Sequence, residues 1–481
     1  MNPNPTEKPM RRIAIRLVLA FSCFASSGIL MNCRYFDHNR KSTLPQSASV
    51  PVPTSAPIPQ SMAVTEATEL VLSPLPGDTK LDAKIARLQK DLRGAPPGSP
   101  RLEELGWLFI AKARVTFDQG FYRYAENCAL LLDAANPGAP AGLLLKGHVL
   151  ESMHRFAEAE SAARALVSSR GLAFDYGLLG DALMEQGRLD SALSAYQKMM
   201  DIKPGFQAYT RAAHMRWLYG DVDGAADMLG LAIQACSPRD EEALAWAYVK
   251  LAGYRFQQGR RPEAEAACRA ALGRIPGFAP ALLMQGRILL SKGTRGATTE
   301  AIAALSESVR ANPLPEGQWA LSDALREAGR DSEADRIDTE LTADGARKDP
   351  RTFALYLATR KQSPSEAKQM ADRERIVRSD IFTYDALAWT HYAAGETDIA
   401  QAPMDSALAH GTRDARLFLH AGTIDLAAGH GDLARQHLLA CDSLRHMLLP
   451  SEGRLLKNAL ERLPLAHRPD GRVADAGQQL R

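Results

Sequence analysis

The stretch YGLLGDALMEQGRLDSALSAYQKMMDIKP, residues 176–204, decides the fold. From Tyr176 to Met184 its apolar residues recur at helical spacing, then Gln186-Gly187 interrupts them. Glycine there suits a helix end, because it enters the left-handed backbone region without penalty. A second helical pattern runs from Leu189 to Ile202 and stops before Pro204, which cannot continue a helix. The segment therefore predicts two antiparallel helices joined by a short turn. Within it Gly180 follows Tyr176 by four places, and Ala192 follows Gly180 by twelve. Small residues at matched places in two helices let the helices cross closely.

Outward from this segment the pattern returns every 33 to 36 residues, from Glu103 to Leu449. The small place holds Ala113, Gly147, Gly180, Ala213, Ala252, Gly286, Ser322, Ala388 and Gly422. The place after it holds Ala125, Ala159, Ala192, Ala225, Ala264, Ala301, Ala334, Ala400 and Ala434. An insertion around Thr294-Arg295-Gly296 delays Ala301 by three residues. Phe109, Tyr176, Tyr209, Tyr248, Tyr384 and Phe418 hold the aromatic place, with Leu143, Leu282 and Gln318 as departures. A closing proline stands at Pro137, Pro204, Pro276 and Pro313.

Over residues 102–449 this pattern resembles the tetratricopeptide repeat family. The resemblance implies an all-α, right-handed superhelical solenoid of about nine units plus one degenerate unit. It also implies that the first helices line a concave groove holding an extended peptide or a partner's helix. Each unit of such an array contacts only its neighbours, which leaves a long surface free for a partner.

The chain divides on this reading into a leader, a spacer and the array. Residues 1–33 are a signal peptide or membrane anchor: Arg11, Arg12 and Arg16 precede an apolar run from Leu17 to Met31. Leu30-Met31-Asn32-Cys33 resembles a bacterial lipobox, with Cys33 as the lipidated residue and Asn32 as the departure from the small residue expected there. An uncleaved anchor and ordinary cleavage are the alternatives. All three export the body to the cell envelope, with membrane contact through the N-terminal segment only. Residues 34–98 are a Pro/Ser-rich linker, extended where Pro45, Pro51, Pro53, Pro57 and Pro59 crowd together. Residues 99–345 form seven repeat units, 346–380 a degenerate unit or joint, and 381–449 two further repeats. Residues 450–466 form a capping helix with a polar outer face, and 467–481 a disordered tail.

Composition agrees with such a body. The 481 residues carry 58 Lys and Arg against 56 Asp and Glu, so no excess of positive charge points to nucleic acid. Hydrophobic residues make up 46%, too many for a disordered chain, and aromatics only 6%, as helix crossings built on alanine and glycine require.

All five tryptophans, Trp107, Trp217, Trp246, Trp319 and Trp389, fall on first helices and outside the aromatic core place. They are the candidate partner-binding residues of the groove, since tryptophan buries much area at interfaces. Packing between adjacent units is the other reading. Arg114, His148, Asp181, Glu185, His214, Arg287, Asp323 and Arg326 share similar faces with mixed signs, so no charged ligand is inferred. The sequence holds no His-Glu-x-x-His, Cys-x-x-Cys, Gly-x-Ser-x-Gly or phosphate-binding glycine loop. Neither a cofactor nor a metal nor a catalytic residue is expected. The function read from the sequence is a non-catalytic scaffold binding a protein in an envelope assembly. A metal-dependent hydrolase using the late histidines, His391 and His420 among them, is the alternative. Cys128, Cys268 and Cys441 are expected as buried thiols, with a Cys236–Cys268 bridge conceivable in an oxidising compartment.

Overall fold

The computed structural model describes residues 60–463. Cys33, the apolar run, the spacer prolines up to Pro59 and the tail lie outside the described residues, and so do the expectations set on them. Among the described residues every element is helical, and no helix is long and apolar enough to cross a membrane. The fold is an all-α repeat solenoid. Its contacts divide the described chain into two compact units, 60–148 and 149–463.

The first unit begins with α1 (Gln60–Leu72) and α2 (Lys80–Leu92), then α3 (Pro100–Thr116), α4 (Gly120–Ala135) and the start of α5 (Pro140–Ser152). The linker expected over 34–98 is thus corrected: from residue 60 the chain folds. No proline interrupts residues 60–73, and Ala67 and Val71 bury themselves as α1 packs on α4. Thr79 starts α2 in a reciprocal cap with Asp82, the hydroxyl taking the Asp82 N–H at 3.2 Å. Asp82 also pairs with Lys112 of α3 in the interior. The Lys112 hydrogen bond, with that of Thr79, holds the Asp82 carboxyl down to about 2.

The second unit continues with α6 (Phe156–Ser169), α7 (Ala173–Glu185), α8 (Leu189–Ile202), α9 (Phe206–Leu218) and α10 (Val222–Ala235). Next come α11 (Glu241–Gln257), α12 (Arg261–Arg274), α13 (Ala279–Leu290), α14 (Arg295–Ala311), α15 (Pro315–Glu327) and α16 (Asp331–Lys348). The remainder is α17 (Pro350–Thr359), α18 (Pro364–Val377), α19 (Ile381–Ala393), α20 (Thr397–Leu408), α21 (Ala415–Ala427), α22 (Gly431–Ser443) and α23 (Pro450–Glu461), with a 3-10 turn at Arg445–Met447. Odd-numbered helices from α3 to α21 are the first helices of their pairs. All nine repeat alanines have 0% exposure, each at the crossing of a pair. Gly180 shows why the opposite place is small: a Cβ there would lie 2.3 Å from the Tyr196 ring. α17 and α18 add a further pair, and every residue of α17 is buried.

The stack does not run on as an open spiral, because its last units return to earlier first helices. Ser379, before α19, donates its N–H to the Glu185 carbonyl at the end of α7 at 3.0 Å. Gly187 stands at this joint with φ +73°, and a Cβ there would meet the Ser379 carbonyl oxygen at 2.3 Å. Thr412, before α21, donates to the Leu218 carbonyl at the end of α9. Gln257, ending α11, donates to the Arg413 carbonyl. Arg287 of α13 donates to the Met447 carbonyl at 2.8 Å. On α15, Trp319 donates to Ser451 Oγ at 3.0 Å, and Asp323 accepts the Ser451 N–H at 2.7 Å. Turn residues thereby find the partners that buried backbone groups need. α7, α9, α11, α13 and α15 are engaged in chain order.

This return bears on two expectations. The capping helix, α23, buries Ser451, Glu452, Leu456 and Ala459 against its neighbours, while Arg454, Lys457, Glu461 and Arg462 keep its outer face polar. The concave side of the second unit is narrowed where the later segments meet α7, α9, α11, α13 and α15.

Candidate binding site

What remains of the concave side is a cavity of about 160 Å³ inside the second unit. Trp217 of α9, Trp246 and Tyr254 of α11 and Phe382 of α19 form its aromatic wall. Phe382 stacks on Trp217 at a centroid distance of 5.9 Å, and Tyr254 stacks on the same indole at 6.4 Å.

Opposite lie charges that first helices carry inward. Arg287 Nη1 donates to Glu316 Oε1 of α15 at 3.0 Å. Arg416 of α21 reaches Glu316 Oε2 at 3.3 Å and pairs with Glu452 of α23. Burial opposes the charge on Glu316, yet the Arg416 and Arg287 guanidiniums hold its carboxyl below the usual range. Arg351 of α17 donates to Asp380 at 3.1 Å. Asp385 of α19 bonds His420 Nδ1 at 2.7 Å. Asp414 caps α21 by accepting the N–H groups of Arg416 and Leu417.

Lys250 differs from these neighbours. Among the described residues no carboxylate or other oxygen pairs with its ammonium, which sits 5.5 Å from the centre of the Trp246 ring. Burial pushes its pKa down to about 8. His214 is driven well below the usual imidazole range by burial and then by the Lys250 charge.

The five tryptophans separate in three ways. Trp217, Trp319 and Trp389 are buried, and each indole N–H is satisfied internally. Trp217 donates to Gln257 Oε1 at 2.8 Å and Trp389 to Thr359 Oγ1 at 3.0 Å, as Trp319 does to Ser451. The expectation that all five face an open groove is therefore corrected for these three. Trp246 is half-buried on the cavity wall. Trp107, in the first unit, is half-buried and meets His148 edge-on at 5.1 Å.

Residues 144–205 and 249–313 match the tetratricopeptide repeat family. Those two segments are tetratricopeptide repeats within the all-α repeat solenoid. Among solved structures it aligns with a tetratricopeptide repeat protein from Parabacteroides merdae ATCC 43184 at 15% identity, over 54% of this chain and 98% of that one, TM-score 0.30. It aligns with human IFIT1, solved as a dimer with PPP-AAAA, at 11% identity over 79% and 99%, TM-score 0.44. It also aligns with PilF of Pseudomonas aeruginosa at 16% identity over 60% and 96%, TM-score 0.26. No curated protein matches the chain.

Tetratricopeptide arrays are in general protein-interaction scaffolds and typically non-catalytic. Here the late histidines of the array are tied into its packing. His391 Nδ1 bonds Glu396 at 2.6 Å, while His420 bonds Asp385 and stacks on Trp389 at 4.1 Å. His437 bonds Asp425 at 2.7 Å, and His446 bonds the Phe256 carbonyl at 2.7 Å. These histidines serve different partners and do not converge. Among the described residues no three His, Cys, Asp or Glu are grouped to hold a metal ion. The four described cysteines are free thiols, which corrects the conceivable Cys236–Cys268 bridge. Cys268 packs among Ala252, Phe256, Ala267 and Ile288, and burial pushes its thiol up to about 12.

Sequence reasoning missed Lys250, Glu316, Arg416 and Glu452. The signal present was Lys250, Glu316 and Arg416 as charges on first helices, and Glu452 as a charge on the terminal helix. Only the return of the later units turned that signal into a site.

Proposed function

We propose that the chain is a non-catalytic protein-binding scaffold of the cell envelope, and that its partner docks on the outer face of the last two repeat pairs. One register position carries the reading, the residue just before the buried alanine of each second helix. In earlier pairs of the second unit it is Glu158, Ser191, Gly224, Glu263, Glu300 and Glu333. In the last two repeats it is Ile399 and Leu433, 55% and 48% exposed. Leu439, on the same helix as Leu433, is exposed as well. Single exposed apolar residues are ordinary on any surface. A change from polar to apolar at one repeat position in consecutive units is a patterned feature of the outer face. The meeting of later segments with the early first helices narrows the concave side of the second unit for an extended peptide, which favours the outer face.

Envelope residence rests on the N-terminal basic cluster, the apolar run and Cys33. Crosslinking in native membranes tests both halves of the proposal. Wild-type chain is expected to capture a defined partner, and the double variant Ile399→Glu, Leu433→Glu to lose it while melting unchanged. Retention of every partner by that variant refutes the outer-face docking. A fusion of residues 1–62 to a compartment-sensitive reporter is expected to report export, and a cytoplasmic signal refutes it.

A further inference from the structure

We infer that the cavity of the second unit binds a small aromatic carboxylate, with its ring against the wall formed by Trp246 and Phe382 and its carboxylate on the Lys250 ammonium. The assignment is independent of the partner-binding reading.

The charges lining the cavity carry it. Arg287 and Arg416 are committed to Glu316 and Glu452, and Arg351 to Asp380. Asp385 and Asp414 are committed to His420 and to the start of α21. One cation is left over among the described lining residues, Lys250. A partly buried ammonium without a counter-charge is unfavourable, and such a group lining a cleft marks a functional-site candidate. Burial depresses its pKa, and a bound anion supplies the counter-charge that the lining lacks.

Size and sign narrow the ligand. The cavity holds about 160 Å³, and an apolar cavity of about 150 Å³ is known to accept benzene. The half-buried Trp246 of α11 and Phe382 of α19 offer aromatic contact to a flat ring. One spare cation matches one negative charge. A dianion would meet the Glu316, Asp385, Asp414 and Glu452 carboxylates without a second spare cation. First helices surround the space from α9 round to α21, and α23 adds Glu452, so a small molecule fits where a folded partner does not.

Sodium benzoate and its neutral counterpart benzamide are the probes, titrated into the full chain by calorimetry with tryptophan fluorescence in parallel. Benzoate is expected to bind saturably and at least about tenfold tighter than benzamide. Lys250→Met is expected to weaken benzoate by about tenfold or more and leave benzamide unchanged, whereas Lys250→Arg retains benzoate binding. Absence of benzoate binding up to about 10 mM overturns the inference. Equal affinity for the two probes, or unchanged benzoate binding in Lys250→Met, also overturns it. Should Lys250→Met fail to fold by circular dichroism, Met284→Trp decides the matter. Filling the cavity must abolish the benzoate response in a folded chain, and a response that survives it refutes the site.

Discussion

The second unit has two interiors, and they are built from different chemistry. Where the helices of one pair cross, the interface is alanine, glycine and apolar side chains, repeated with little variation from Ala159 to Ala434. Where first helices of early units face those of late units, the interior holds guanidiniums, carboxylates, indoles and Lys250. A crossing is a local contact between residues about a dozen places apart, so every repeat can solve it in the same way. The axial interior joins residues a hundred or more places apart, such as Arg416 with Glu316. No repeat rule governs those contacts. Specificity there comes from matched charges and hydrogen bonds, which penalise a wrong partner more than apolar contacts do.

If the two interiors differ in this way, the largest effect should come from the axial charges. Glu316→Ala leaves Arg287 and Arg416 facing each other without their shared carboxylate. The expected loss is about 3–5 kcal/mol, read as a lower urea midpoint. A loss below about 1 kcal/mol would mean that the network is solvated and the contrast with the crossings is false.

Overpacking a crossing should come next. Gly180→Ala places a Cβ 2.3 Å from the Tyr196 ring, whose hydroxyl is anchored on Asp181 at 2.7 Å. The ring cannot swing freely, so about 1–3 kcal/mol should be lost, again by urea titration. An unchanged midpoint would show that crossings tolerate volume and that their small residues have another cause.

Trp319→Phe removes the indole N–H that holds Ser451 and is expected to lose about 1–2 kcal/mol. Hydrogen exchange sharpens that result. Amides of α23 should lose protection while those of α12 keep theirs, since α23 is held on α15 by this contact. Uniform loss across the unit would mean that the return is not a separate layer of stability.

The smallest expected effect is a pH dependence. The Lys250 pKa is lowered in the fold to about 8 from 10.5, so between those values the unfolded chain binds more protons than the native one. Stability therefore rises with pH across that window and levels off at its lower value below about 8, where both states are protonated. In melting curves wild type should gain roughly 1–2 kcal/mol relative to Lys250→Met between pH 8 and pH 10. Parallel curves would mean that the ammonium is well solvated. That outcome would remove the contrast at its most particular residue.

The crossings were legible in the sequence because helix geometry converts spacing directly into contact. Gly180 and Ala192 read as a close approach before any coordinate was known, and so did each of their counterparts. The region 346–380 read as a degenerate unit or a joint, and in the fold Pro350 and Pro364 each open a helix of a further pair. α1 and α2 were hidden by the prolines just before them, whose composition coloured the reading of the next forty residues. The tryptophans misled for a different reason. Their placement on first helices was correct, but whether that face is open or filled depends on how tightly the stack winds. A small change in the angle between pairs, summed over several of them, decides whether late units meet early ones. No single residue pattern encodes that sum. Glu452 illustrates the limit, since it reads as a charged residue on a terminal helix and lies buried against Arg416.

The sequence by itself determined the helix pairs, their order and their crossings, because those contacts lie within one repeat and follow from helical period and side-chain size. Only the tertiary structure decided that late units meet early ones, that three tryptophans are interior, and that Lys250 faces a cavity with no counter-charge. Those outcomes depend on contacts between distant repeats, where the geometry of the whole stack selects which charges meet.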